Sequence, residues 1–376
     1  MEAIGYNKKR VNEILKKYDI DLLIASSGVN VFYTSGLPTL HVANNPILWV
    51  LKNQYPFLSL IQQSGDVDLI YWMVFNSLEH YSWIHPDNTH GVLSVSHALK
   101  EVEKLITDNE LSGKTVALES NMPRYQSEFL KTKFPDIHFQ DADPVFLEIR
   151  LIKSKEEIQR IKKSTEIAEQ AIQACYESAY AGITDHELLK VARKTIIDAG
   201  AEGWDHLTLG IGSADPEAPG IGTTMKKGDL TRLDFGAVWK GYVSDVSRHM
   251  VLGAIPERAE KAMDRMIKVQ EFCVSEIKPG IDPRSVFKAA RKFSRSLSKI
   301  ARTSPTCHSI GLEVEEIHIF SALHTLKSPF EKNMVCDIEV WQPVGNFGLI
   351  GIEDCYQITD SGCKPLSTLE KKIFVK

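Results

Sequence analysis

The chain has 376 residues, 43% of them hydrophobic and 25% charged, with a formal net charge of −5. It is too long for one average domain, too apolar for a disordered chain, and too acidic to suggest a nucleic-acid partner. No apolar run approaches the roughly 18–20 residues of a membrane span, so a membrane is not an expected partner either.

The start, MEAIGYNKKR, lacks the apolar core of a signal peptide, and the cytoplasm is the expected compartment. Val11, Ile14 and Leu15 recur at helical spacing, and IDLLIAS (20–26) reads as a short buried strand. It continues into NVFYTSGLP, where Gly36 and Pro38 punctuate an expected loop. Further strands are expected at 56–63, 66–75 and 115–120, with a helix over 97–111. Alternating strands and helices predict an α/β domain over residues 1–148.

From residue 149 the pattern changes. Ile158, Ile161, Ile167, Ala168, Ala171 and Ile172 form one face of a long amphipathic helix. A second helix opens at Thr184 or Asp185. After Gly203 the chain turns to strands and hairpins, interrupted by helices at 256–277 and 282–301. Residues 149–376 are therefore read as a second domain. Six cysteines without a CxxC pair read as free, packed thiols, not as a disulfide framework or zinc knuckle.

Five residues in this second domain carry the chemistry. Asp234 and Asp245 sit in LTRLDFGAVWKGYVSDVSRHMVLG, eleven residues apart across Gly241, the layout of adjacent strands joined by a tight turn. Glu339 and Glu353 flank Pro343, Gly345 and Gly348, again hairpin punctuation. His308 precedes SIGLEVEE. Ionised carboxylates on apolar strands are costly unless paired or metal-bound. Four carboxylates and an imidazole favour two hard or borderline divalent ions, with Mn the first choice and Co, Zn or Fe as alternatives. Two such ions about 3.5–4 Å apart can activate a shared water.

The segments LDFGAVWKGYVSDVSR, HSIGLEVEE, IEV and GIEDCYQIT resemble the prolidase, aminopeptidase P and creatinase superfamily of pita-bread metallopeptidases. KKRVNEILKKYDIDLLIASSGVNVFYTSGLP and IRLIKSKEEIQRIKKSTEIAEQAI are similar to the first domain and linker of its two-domain members. The resemblance implies an α+β chain: a C-terminal pita-bread domain behind a smaller N-terminal α/β domain. It implies that Asp245 and Glu353 bridge two ions, that Asp234 chelates one, and that His308 and Glu339 complete the other. Glu339 is then the proton shuttle of an amide hydrolase, and Ser247 a hydroxyl that hydrogen-bonds a ligand. It also implies a homodimer, for which the aromatic stretch IYWMVFNSLEHYSWIH could supply a wall at the partner's site.

The chain departs from this family around the substrate. Where prolidase-like members place two histidines, the count reaches Glu217 and Glu315; where they place an arginine, two residues before the final glutamate, it reaches Gly351. Glutamates there attract a cationic group instead of a carboxylate. His206 and His318 are the leading candidates to replace the missing imidazoles in catalysis. An Xaa-Pro dipeptidase-like hydrolase is the first expectation, with a small-molecule or dipeptide substrate. The alternatives are a creatinase-, ectoine hydrolase- or dimethylsulfoniopropionate lyase-like enzyme acting on a cationic small molecule, or a non-catalytic binding protein.

Overall fold

The computed structural model describes residues 4–39, 57–73, 78, 83–212, 215, 217–298 and 303–376. The chain divides into two compact units, Met1–Ser154 and Lys155–Lys376.

The first unit is built on a six-stranded sheet of β1 (Leu22–Ala25), β2 (Leu58–Gln62), β3 (Val67–Trp72), β4 (Asn88–Val92), β5 (Thr115–Leu118) and β6 (His138–Asp141). Their order is β4-β3-β2-β1-β5-β6. The sheet is mixed: β1, β2 and β3 run antiparallel in turn, while β3–β4, β1–β5 and β5–β6 are parallel. The central strand β1 is buried throughout, as its unbroken apolar run requires. Leu22, Ile24, Leu60 and Val116 pack with Val102 and Ile106 of the helix Val95–Asp108.

The NVFYTSGLP segment is not a loop. Residues Gly28–Ser35 form a helix, capped by the Ser27 hydroxyl, which accepts from the Asn30 amide. Gly36 closes it in the left-handed region at φ 76°. The Ser-x-x-Asn start and glycine stop outweigh the β-branched residues between them. The aromatic stretch 70–85 lies partly outside the described residues. Edge strands β4 and β6 are short and polar, which suits edges and hides them from hydrophobic patterning.

The second unit carries a ten-stranded sheet. Its strands are β7 (Gly203–Ile211), β8 (Leu230–Trp239), β9 (Tyr242–Val243), β10 (Val246–Val251), β11 (Ser304–Ser309), β12 (Ile317–Phe320), β13 (Val335–Pro343), β14 (Leu349–Thr359), β15 (Gly362–Pro365) and β16 (Ile373–Val375). The main path, β12-β11-β13-β14-β10-β8-β7, is antiparallel at every step. Lys240 and Gly241, both at positive φ, make the two-residue turn between β8 and β9.

One face of this sheet is packed by helices. Leu233, Phe235, Val246 and Met250 meet Ile167, Ala168 and Ala171 of the helix Lys155–Ser178. Val340, Ile350 and Ile352 meet Ala262, Met266 and Val269 of the helix Glu257–Glu276. The helix Asp185–Asp198 is capped by Thr184, not Asp185, in a reciprocal box with Glu187. Asp185 instead accepts the amides of Ile221, Gly222 and Thr223, tying down the segment that follows Glu217. All six cysteines are free, and five of them are buried.

Candidate metal centre

Residues at even spacing on a strand share a face, and residues opposed across a ladder share it too. The register therefore fixes what stands on the sheet face away from the helices. One row runs Thr306, Glu339, Glu353, Ser247, Asp234, Thr208 across β11, β13, β14, β10, β8 and β7. The next row along the strands holds His308, Asp337 and Cys355. Asp245, two residues before Ser247, falls on the same face, as do Gly236 and His206. The sheet thus gathers Asp234, Asp245, His308, Glu339 and Glu353 from five segments.

The side chains converge. Asp234, Asp245, His308 and Glu353 are all buried. His308 Nε2 lies 3.1 Å from Glu353 Oε1. His206 Nε2 lies 3.2 Å from Asp245 Oδ1 and 3.8 Å from Asp234 Oδ1. Two groups of ligand atoms, each within 4.8 Å of one another, form around Asp245: one with His206 and Asp234, the other with His308 and Glu353. Asp234 Oδ1, Asp245 Oδ1 and His308 Nδ1 are buried without an accepted or donated hydrogen bond. Such atoms are costly unless a cation or further polar group completes them. Oxygen-rich donors with one or two imidazoles fit divalent Mn, Co, Fe or Zn better than thiophilic ions.

Electrostatics point the same way. Burial, then repulsion from Asp245 and Glu339, pushes Glu353 well above the usual carboxylate range. Burial raises Glu339 to about 7, with Arg232 opposing the rise. Burial raises Asp245 as well. Burial would also raise Asp234, but Arg232 and His206 outweigh it and hold that carboxyl low. Burial would lower the His206 imidazole, yet Asp245, Asp205 and Asp234 together raise it well above its usual value.

His206 sits in a β-bulge: the β7–β8 register shifts between Trp204 and Leu207. Bulges re-aim side chains beside sites. Gly236 makes room for it, since a Cβ there would meet Ser244 O at 2.5 Å and His206 Cε1 at 2.6 Å. Position 236 therefore requires glycine for a packing reason. The candidate proton-transfer histidine thus lies among potential ligand atoms.

The other candidates are placed differently. Glu217 and Glu315 line the same cavity of about 260 Å³ as the metal-ligand candidates, His206 and Val314. His318 does not line it: it opposes His308 in the register and pairs with Glu315 at 3.3 Å. The Ser247 hydroxyl is buried and has no hydrogen-bond partner.

Sequence reading missed Asp337 and Arg232. Asp337 is fully buried, opposes His308 on one side and Cys355 on the other, and neither of its oxygens accepts a hydrogen bond. Arg232 is buried beside Asp234 and Glu339. Both stand two residues before a ligand candidate on a strand, a spacing that places them on the same face. On the opposite face Arg248 is fully buried, donating to Asp354 at 2.6 Å and to the carbonyls of Glu353 and Leu369.

The family model for metallopeptidase family M24 matches residues 159–360, and that for the creatinase/prolidase N-terminal domain matches residues 8–152. The chain is 25% identical over 392 aligned positions to the Xaa-Pro dipeptidase of Pyrococcus horikoshii, covering 99% of this chain and 100% of that one. It is 24% identical to the Xaa-Pro dipeptidase of Pyrococcus furiosus, covering 97% and 99%. The crystal structure of the Pyrococcus horikoshii prolidase superposes with a TM-score of 0.80 at 25% identity, over 98% of this chain and 99% of that one. The X-Pro aminopeptidase of Thermotoga maritima shares the fold, with a TM-score of 0.78 at 23% identity over 98% and 99%.

Proposed function

The chain belongs to metallopeptidase family M24, and we propose that it is a prolidase-like metallohydrolase that cleaves the amide bond of a small peptide of the Xaa-Pro dipeptide class. The single observation that carries the reading is the pair of ligand-atom groups that share Asp245. Asp234, Asp245, His308 and Glu353 of those groups, with Glu339 opposite Glu353 across the ladder, would hold two divalent ions, Mn first among the candidates. Such ions, when bound, polarise an amide carbonyl and generate hydroxide from water near neutral pH.

The protein's own groups supply the rest. Glu339, beside Arg232 and opposite Glu353 across the ladder, would take a proton from water and pass it to the leaving nitrogen. His206, beside Asp245 and Asp234, would donate a ring N–H to charge that develops on the substrate carbonyl oxygen. Ser247 is in position to orient Glu353 or Asp234, its neighbours across both ladders.

Glu217 and Glu315 on the cavity wall would receive a cationic group, such as the free α-ammonium of a dipeptide, and disfavour a carboxylate. This is a preference within peptide hydrolysis. The full-length likeness to Xaa-Pro dipeptidases gives no support to the creatinase-, ectoine hydrolase- or lyase-like alternative, and ligands at all five positions argue against a binding protein. A homodimer and a cytoplasmic location remain part of the proposal; no described helix is long and apolar enough to cross a membrane.

The test is hydrolysis of Ala-Pro and Met-Pro by the Mn²⁺-loaded chain, with and without a chelator. Chelator-sensitive cleavage that disappears in Asp245→Ala supports the reading. No cleavage of any Xaa-Pro dipeptide by protein carrying two ions would remove the substrate class.

A further inference from the structure

Arg232 starts on β8, two residues before Asp234, and its side chain is only 4% exposed. Its terminal nitrogen Nη2 lies 2.7 Å from Asp234 Oδ2 and 3.1 Å from Glu339 Oε1. Those carboxylates belong to strands β8 and β13, with β10 and β14 between them. At about 4.8 Å per strand the backbones stand roughly 14 Å apart. The guanidinium therefore crosses the sheet face and touches both ends of the carboxylate row.

It can do so because of what lies beneath it. The row under the arginine holds His249 on β10 and Gly351 on β14, joined by the Gly351 amide donating to His249 Nε2 at 2.9 Å. A Cβ at Gly351 would lie 3.7 Å from Arg232 Nε and 3.2 Å from Trp341 Cβ. A methyl there is already in contact with both, and any longer side chain would enter the space the guanidinium fills. Gly351 is the position where the resemblance leads one to expect arginine. The cation is present in this chain, but it is delivered from β8 across a glycine.

We infer that Arg232 is the positioning residue of the metal centre, a guanidinium that reaches over Gly351 and holds Asp234 and Glu339 at fixed separation before cations arrive. It takes Asp234 Oδ2 and leaves Oδ1, which has no hydrogen-bond partner, turned toward His206 and Asp245. A carboxylate with one oxygen anchored and the other free is pre-oriented as a ligand. A purely structural arginine would need only one such partner and no cleared path.

The inference rests on the metal-centre reading, and one experiment separates the two. The metal-stripped full chain is titrated with Co²⁺, following calorimetry and the visible absorption of the bound ion. Two equivalents in the wild type are expected; if none binds, the metal-centre reading fails and takes this inference with it. In Arg232→Met the weaker equivalent should lose about ten- to a hundredfold in affinity, the usual effect of removing a group that orients a ligand. Adding Gly351→Arg to that variant should bring affinity and absorption spectrum back to within about threefold of wild type. Gly351→Leu, which keeps Arg232 but fills its space, should reproduce the loss and guards against a folding failure of the first variant. Wild-type affinity in either single variant, or a swap no better than Arg232→Met alone, would overturn the inference.

Discussion

The two faces of the second unit's sheet are written by alternate residues of the same strands. On β8, Leu233 and Phe235 enter the helix-packed core, while Arg232 and Asp234 enter the metal centre. On β14, Ile350 and Ile352 face helix while Gly351 and Glu353 face the site. The helix-packed face is stabilised chiefly by apolar burial, with Arg248 and Asp354 as a buried ion pair within it. The polar face is a concentration of negative charge that burial penalises, a penalty the proposed cations would offset. One face folds the protein; the other is held open for ligands at a cost the first must cover.

That contrast can be broken most forcefully by one substitution on each side. Asp245→Ala, at the residue shared by both ligand groups, should abolish two-ion binding and lower kcat/KM by at least about a thousandfold, with little change in secondary structure by circular dichroism. Phe235→Ala, next door to Asp234 but on the other face, should cost about 3–5 kcal/mol of stability in denaturant titration. The folded fraction should still bind two ions. If Phe235→Ala loses metal while fully folded, the faces are not independent.

Asp337 sharpens the polar side. It opposes His308 across the ladder, and both His308 Nδ1 and the Asp337 oxygens lack hydrogen-bond partners. A histidine ligand commonly donates its second ring N–H to a carboxylate. Asp337→Asn should therefore weaken Mn²⁺ binding by about tenfold, read by calorimetry; unchanged affinity would make Asp337 a bystander.

Acidity tests the same face without mutation. Glu339, raised from 4.5 to about 7 by burial, holds in the folded chain a proton that the unfolded chain releases. Between those values the stability of the chelated protein falls as pH rises. His206 acts in the same sense: its contribution is complete below about 6.5 and is lost as pH climbs through its raised folded value. The Tm of chelated protein should thus drop by on the order of several degrees from pH 5.5 to 8, and saturating Mn²⁺ should flatten the slope. A chelated protein more stable at pH 8 than at 5.5 would contradict the charge balance described.

The smallest effect expected is on specificity. Glu217→His with Glu315→His should raise kcat/KM for Xaa-Pro dipeptides by about tenfold relative to their C-terminal amides, because two wall charges that repel the carboxylate are removed. No change in that ratio would take the glutamates out of substrate recognition.

The candidate ligand set was legible as a cluster because its order and spacing survive in one dimension: Asp234 and Asp245 around a turn, Glu339 and Glu353 around another. Asp337, Arg232 and the Gly351 gap were not, because their meaning lies in the register between strands distant in sequence. Counting by two from each ligand would have found Asp337 and Arg232 as candidates, but only the ladder shows that Arg232 reaches Glu339. The helix Gly28–Ser35 was read as loop since it is a short segment with β-branched residues and a glycine start. Edge strands β4 and β6 carry too few apolar residues to leave a periodic signal.

The most direct test of the central claim is the metal stoichiometry of the full chain, measured by calorimetric titration of metal-stripped protein with Mn²⁺ alongside Xaa-Pro hydrolysis in the same samples. The account predicts two ions per chain in the wild type, with cleavage that rises as they bind, and loss of both in Asp245→Ala. A wild-type chain with no affinity for Mn²⁺, Co²⁺ or Zn²⁺, or an Asp245→Ala variant that keeps both ions and turnover, would contradict it.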